Sequence, residues 1–251
     1  MSLKEKKTWW KAVRRAKELG AWEDFNQIHV KNFKWAHFTS GFLPWHRGFL
    51  WGMEEYLRSL GPEFECLTIP FWAWETLNGD KNGAEYIFDG SSVGFGEINS
   101  TGCVSTGAMR NWGSCVKRVW DYSVSIFQEM NTLNVLINQP HYGGDHGFRD
   151  ELESKPHAAP HNWLAGTMSS EGSPGDPAFY IHHANVDRLF ALWQDCHGHD
   201  RVSEDNIPKV SYQPHPSNAN QESTYPMPYG NTKLFPTKMT VSSVWRIQNN
   251  H

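Results

Sequence analysis

Apolar residues recur at helical spacing through the first sixty positions. Trp9, Trp10, Val13, Ala16 and Leu19 alternate with lysine and arginine over residues 3–19, and Gly20 follows as a stop. A second periodic stretch over 21–37 carries Trp22, Phe25, Ile28, Phe33 and Ala36, holds His29 and ends near His37. Thr39-Ser40-Gly41 breaks the pattern. Pro44 opens a third helix with His46 in its first turn. Phe49, Leu50, Met53, Tyr56, Leu57 and Leu60 give that helix an apolar face, and Gly61-Pro62 ends it.

Residues 67–74 are predicted to be extended, because Pro70 interrupts any helix there. Residues 78–115 are rich in Gly, Ser, Asn and Asp, and read as a long surface excursion with short irregular structure. Helical spacing returns at 123–138 and, more briefly, at 146–153. Two further helices follow, one bearing His157 and His161, the other spanning 177–196 with His183. Asp176 and Pro177 start the latter with a carboxylate cap and a proline at the first helical position. After Gly198 the chain is loop-rich, with a late apolar patch at Met239–Trp245 that suits a strand or two. Each half thus carries a histidine-bearing helix pair, which predicts a helical bundle with ligands projecting inward.

The 251 residues suffice for one large core, burying about 70–75% of the unfolded surface without staples. A net charge of −4 gives no reason to expect nucleic acid or an anionic membrane as partner. No apolar run approaches the ~20 residues a membrane span needs. Met1–Lys7 lacks the apolar region of a signal peptide, an expectation that leaves the compartment undetermined. The four cysteines are too few for a disulfide-built fold. Cys103 and Cys115 flank a polar, glycine-rich segment, and either a pair or two free thiols fits them.

Thirteen histidines are the unusual count, because histidine is the commonest metal ligand. His29, His37 and His46 form one set, and His157, His161 and His183 another. His157 and His161 are four apart, on one helix face. Three imidazoles per metal without thiolate suit copper, zinc, iron or nickel. A zinc peptidase would place Glu after the first histidine of the second set, where Ala158 stands. Two matched all-histidine triads favour a pair of copper ions. His182 points about 100° away from His183 on a helix and is expected to pack or hydrogen-bond instead. His141, His146, His197, His199, His215 and His251 read as surface or helix-end residues.

Phe42-Leu43-Pro44-Trp45-His46-Arg47-Gly48-Phe49-Leu50, followed by Glu54, resembles the first copper-binding signature of the tyrosinase, catechol oxidase and molluscan haemocyanin family. Asp176-Pro177-Ala178-Phe179-Tyr180-Ile181-His182-His183-Ala184-Asn185-Val186-Asp187 resembles the second. Ile69-Pro70-Phe71-Trp72-Ala73-Trp74 is similar to a third family segment, with Ala73 in place of its acid. The resemblance covers residues 20–196. It implies a mainly α fold: a four-helix bundle around a binuclear copper site, with long loops and a few short strands. The whole of 1–251 is then one catalytic domain with a loop-rich tail at 197–251 and no C-terminal shielding domain.

By the same resemblance, His29, His37 and His46 would bind the first copper, and His157, His161 and His183 the second. Phe179 would pack on a ligand imidazole, and Asp187 would hold a ligand in place. Glu153 matches the acid that holds a water near the second copper, which makes it the candidate base. Ser170, with Ser169, is expected near the entrance. Ala158 stands where monophenol-hydroxylating relatives carry Asn, while Asn162 follows the next histidine. Trp35 replaces the cysteine that forms a thioether in some relatives. The implied activity is that of a type 3 copper oxidase using dioxygen to convert small o-diphenols to o-quinones, with monophenol o-hydroxylation as a second activity. A haemocyanin-like oxygen-binding module and an o-aminophenol oxidase are the alternatives. Oligomeric state is not set by any of these residues.

Overall fold

The computed structural model describes residues 1–77, 86–124, 130–143 and 146–198, with the pairs 234–235 and 244–245. Seven α-helices are described: α1 (Leu3–Glu18), α2 (Ala21–Ala36), α3 (Phe42–Ser59), α4 (Met130–Ile137), α5 (Phe148–Leu152), α6 (Ala158–Leu164) and α7 (Ala178–His197). Ser2 and Glu5 form a capping box on α1, which satisfies two otherwise orphaned N–H groups. Gly20, at φ 80°, turns the chain directly into α2. α3 starts two residues before Pro44, so the proline lies in the first turn, where its missing N–H has no intrahelical partner to lose. Between α5 and α6, Glu153–His157 form a widened π-turn that accommodates Pro156.

α3 packs against both α2 and α7, and the π-turn before α6 also reaches α7. These elements make the four-membered bundle, and one continuous apolar core runs through it. Phe25, Phe42, Trp45, Phe49 and Phe179 are fully buried. The predicted helices at 3–19, 21–37, 146–153 and 177–196 match α1, α2, α5 and α7. Of the stretch 123–138, residues 125–129 lie outside the described ones.

The expected surface excursion needs correction. Its segment 78–85 lies outside the described residues, but Phe88, Phe95, Val104, Ala108, Met109 and Trp112 are all buried. Phe95 packs on Trp9 and Trp10 of α1, Trp112 on Trp22 of α2, and Trp10 Nε1–H donates to the Val93 carbonyl at 2.9 Å. Glycine-rich composition hid these scattered anchors. Cys103 and Cys115 form a disulfide. Among the described residues, β-structure is confined to the bridges Ile98↔Val104 and Cys103↔Lys117. Of the late apolar patch only Val244 and Trp245 are described. Trp245 packs on Tyr142, and Phe235 lies against Gly52, where a Cβ would meet its ring at 2.0 Å. No helix among the described residues is long and apolar enough to cross a membrane.

Candidate metal centre

Helix geometry explains how the first triad forms. His29 lies on α2 and His46 on α3. His37 follows α2 directly, on an extended backbone that turns it back towards the others. Each donates its Nδ1–H to a carbonyl: His29 to Glu171 at 2.7 Å, His37 to Phe33 at 3.1 Å and His46 to Phe42 at 2.9 Å. The tautomer is therefore set, and each Nε2 keeps its lone pair. The Nε2 atoms of His29 and His46 are buried with no hydrogen-bond partner. One potential ligand atom from each of the three residues lies within 4.8 Å of the other two.

The second triad comes from the π-turn, α6 and α7. His157 closes the π-turn and donates Nδ1–H to Glu153 O at 3.0 Å. His161, on α6, donates to Met168 O at 2.6 Å. His183, on α7, has no partner at its buried Nδ1. It is held by packing instead, 4.1 Å from Phe179 and stacked at 4.3 Å on His46, centroid to centroid. His161 and His183 bring their Nε2 atoms to 3.2 Å; His161 already carries its proton on Nδ1, so His183 donates from Nε2, and a metal ion would displace that proton. His157 Nε2 is also buried and unpartnered.

These orphaned imidazole nitrogens are the test of fit for a metal pair, and the residues pass it. Buried polar atoms without partners are costly, and three neutral nitrogen donors per cluster suit copper. Burial is the first cause that lowers the histidine pKa values, to about 4 for His29 and His161 and well below the ordinary range for His37, His46, His157 and His183. The imidazoles are neutral at pH 7, the form that binds metal.

His182 clusters with the second triad, but both its nitrogens are engaged. Nε2–H donates to His157 O at 3.0 Å, and Nδ1 accepts from Trp74 Nε1–H at 3.2 Å. It orients the triad without offering a lone pair. The segment Ile69–Trp74 thereby gains its purpose: Ile69 N–H donates to Glu54, Trp72 N–H to Ile181 O, and Trp74 to His182.

The remaining predicted residues divide. Phe179 is fully buried and touches both triads, reaching His183 and, at 5.2 Å, His29. Phe42, four residues before His46 as Phe179 is before His183, does the same, 4.9 Å from His46 and 4.7 Å from His157; the second contact crosses elements and has no mark in the spacing. Glu153 is buried rather than on the surface. Its Oε1 accepts from Phe38 N–H at 2.7 Å and its Oε2 from Arg149 at 3.0 Å. Burial raises its pKa to about 7 despite those bonds. Phe38 takes a left-handed φ of 58° to present that N–H.

Asp187 does not touch a ligand imidazole. It accepts from Arg47 Nε at 2.6 Å and so ties α7, which carries His183, to α3, which carries His46. Arg47 carries on to Gln194 and to the carbonyls of Val244 and Trp245. Ser170 is exposed and donates to Thr167 O, back into its own turn. Ala158 is half-buried and Asn162 exposed, each next to a triad histidine on α6. Arg118 and Asp176, both fully buried, form a bidentate ion pair that the sequence reading missed.

Residues 19–143 and 123–196 match the family described as the common central domain of tyrosinase. Grixazone synthase of Streptomyces griseus is 28% identical, over 78% of this chain and 82% of its own length. The tyrosinase-like protein phomQ1' of Diaporthe leptostromiformis is 30% identical, over 69% of this chain and 53% of its own. Tyrosinase P of Aspergillus terreus is 27% identical, over 70% of this chain and 64% of its own. The chain thus spans between about half and two thirds of the length of the first curated relatives. A mutant polyphenol oxidase from Thermothelomyces thermophila superposes with a TM-score of 0.75 at 20% identity, over 98% of this chain and 83% of that one. That likeness shows a shared fold.

Proposed function

The chain belongs to the family of the tyrosinase common central domain, and on that premise we propose that it oxidises o-diphenols to o-quinones with dioxygen. The family binds two copper ions. We assign one to His29, His37 and His46, and the other to His157, His161 and His183. When bound, the pair supplies the redox capacity that side chains lack and the open positions where dioxygen and a phenol meet. Two diphenols and one dioxygen give two quinones and two waters.

The protein's own part is positioning and proton handling. Carbonyl-bonded imidazoles keep their Nε2 lone pairs fixed without reorganisation. Phe42 and Phe179 pack between the triads and keep water from the back of the site. Glu153 is assigned the substrate proton: its carboxylate is buried, held by Phe38 N–H beside His37, and anchored by Arg149. Ala158 offers no amide to orient a monophenol, so diphenol oxidation is the main activity.

The observation that supports this reading most is the pair of clusters of neutral imidazoles with buried, unpartnered nitrogens. The test is oxygen uptake by copper-loaded protein with catechol and with phenol. We expect one dioxygen consumed per two catechols, and a rate with phenol at least tenfold lower. Absence of uptake with catechol would reject the assignment.

A further inference from the structure

The loop between α6 and α7 touches both triads. Met168 O accepts from His161, and Glu171 O, three residues on, accepts from His29. The other three carbonyl-bonded histidines lean on their own preceding turn, four residues back: His37 on Phe33, His46 on Phe42, His157 on Glu153. A carbonyl within a helical turn is fixed by the helix. Met168 stands in a single 3-10 turn, Gly166–Ser169, and Glu171 just beyond it, so where both carbonyls sit depends on what anchors this short loop.

Trp22 Nε1–H of α2 donates to Gly175 O at 3.3 Å, and the segment Cys115–Arg118 anchors the loop at both ends. Lys117 N–H donates to Thr167 Oγ1 at 2.9 Å, and Lys117 O accepts from Thr167 N–H at 2.8 Å. Gly166, at φ +57°, lets the two chains close: a Cβ there would stand 2.3 Å from Lys117 O. At the loop's far end Arg118 grips Asp176 with Nε at 2.8 Å and Nη2 at 2.9 Å. Its remaining N–H groups go to Phe95 O, Gly96 O and Met109 Sδ, so all five donors are used. Asp176 Oδ1 also accepts from Ala178 N–H, which sets the start of the helix that carries His183. The segment is itself stapled by the Cys103–Cys115 disulfide and by bonds from Val104 N–H to Val116 O and from Arg118 N–H to Gly102 O. A buried ion pair adds little net stability, because desolvation offsets the attraction. This one supplies fixed geometry.

We propose that Lys117 and Arg118 are positioning residues that orient one ligand of each triad, His29 and His161, through this single loop, and so couple the two metal sites. The proposal rests on the ligand assignment above, but its test needs no metal. In metal-free protein, the exchange of each histidine Nδ1–H with water is followed by nitrogen-15-edited NMR. Two variants are compared with the parent: Arg118→Lys, which keeps the charge and loses the fork, and Thr167→Val, which keeps shape and loses the acceptor. Both are expected to accelerate exchange at His29 and His161 at least tenfold. His37, His46 and His157 should be unchanged. Equal acceleration at all five would mean general destabilisation and overturn the proposal. So would continued protection at either His29 or His161. If Arg118→Lys fails to fold, Thr167→Val decides. If the variants show the expected exchange pattern but the parent binds no copper, the proposed function fails while the loop's hold on His29 and His161 stands.

Discussion

The first triad and the second differ in how they are held. His29, His37 and His46 each donate Nδ1–H to a carbonyl, whereas in the second triad only His157 and His161 do. His183 stands between Phe179 and His46 with a bare, buried Nδ1, and its hydrogen bond to His161 runs through the Nε2 that a metal ion would take. Hydrogen bonds set tautomer and angle together, while packing sets angle alone. The first triad is thus chemically preset. The second keeps one ligand whose orientation depends on its aromatic neighbours.

The largest effect expected from breaking this comparison is at the ligands. His46→Ala and His183→Ala should each lose one copper and abolish oxygen uptake, as read by metal analysis of folded protein. Phe179→Ala comes next. It removes the packing that stands in for a hydrogen bond at His183 and opens a cavity costing about 3–5 kcal/mol. Copper should leave the second triad before the first in a chelator series; simultaneous loss would refute the difference in support. Glu153→Gln should lower kcat by about 10²-fold with copper content retained.

Acid should act through the same groups. Burial holds the six triad histidines below their ordinary pKa, so the unfolded chain binds protons that the folded one cannot. Metal-free protein should therefore lose stability as pH falls from about 6.5 towards 4, as followed by denaturant midpoints. Glu153 works in the opposite sense, because its raised pKa takes stability away as pH rises towards 7. One carboxyl against six imidazoles leaves the acid loss dominant. Asp187→Asn is the smallest change. Asp187 pairs with Arg47 at a partly exposed position, so about 1 kcal/mol should be lost and copper affinity kept. A direct hold on a ligand would instead cost about 10–100-fold in affinity.

What was legible in the sequence follows from the kind of interaction. The helices bearing His29, His46 and His183 are long and strongly periodic, and Asp176 does accept from the first turn of α7. The six histidines could be grouped because side chains are what a sequence spells. The carbonyls of Met168 and Glu171 could not, since every residue has one and only the folded loop selects two. Arg118 and Asp176 lie 58 positions apart, and nothing in their spacing marks a buried pair. The π-turn at Pro156 and the anchors Phe88, Phe95 and Trp112 were hidden for a related reason. A short irregular segment buries single residues without a period.

The central claim is that two triads act as one copper pair. Its most direct test is a titration of metal-free protein with copper, following bound metal and catechol-dependent oxygen uptake on the same samples. The account predicts that binding and activity both saturate at two copper ions per chain. Full activity at one copper per chain would contradict it.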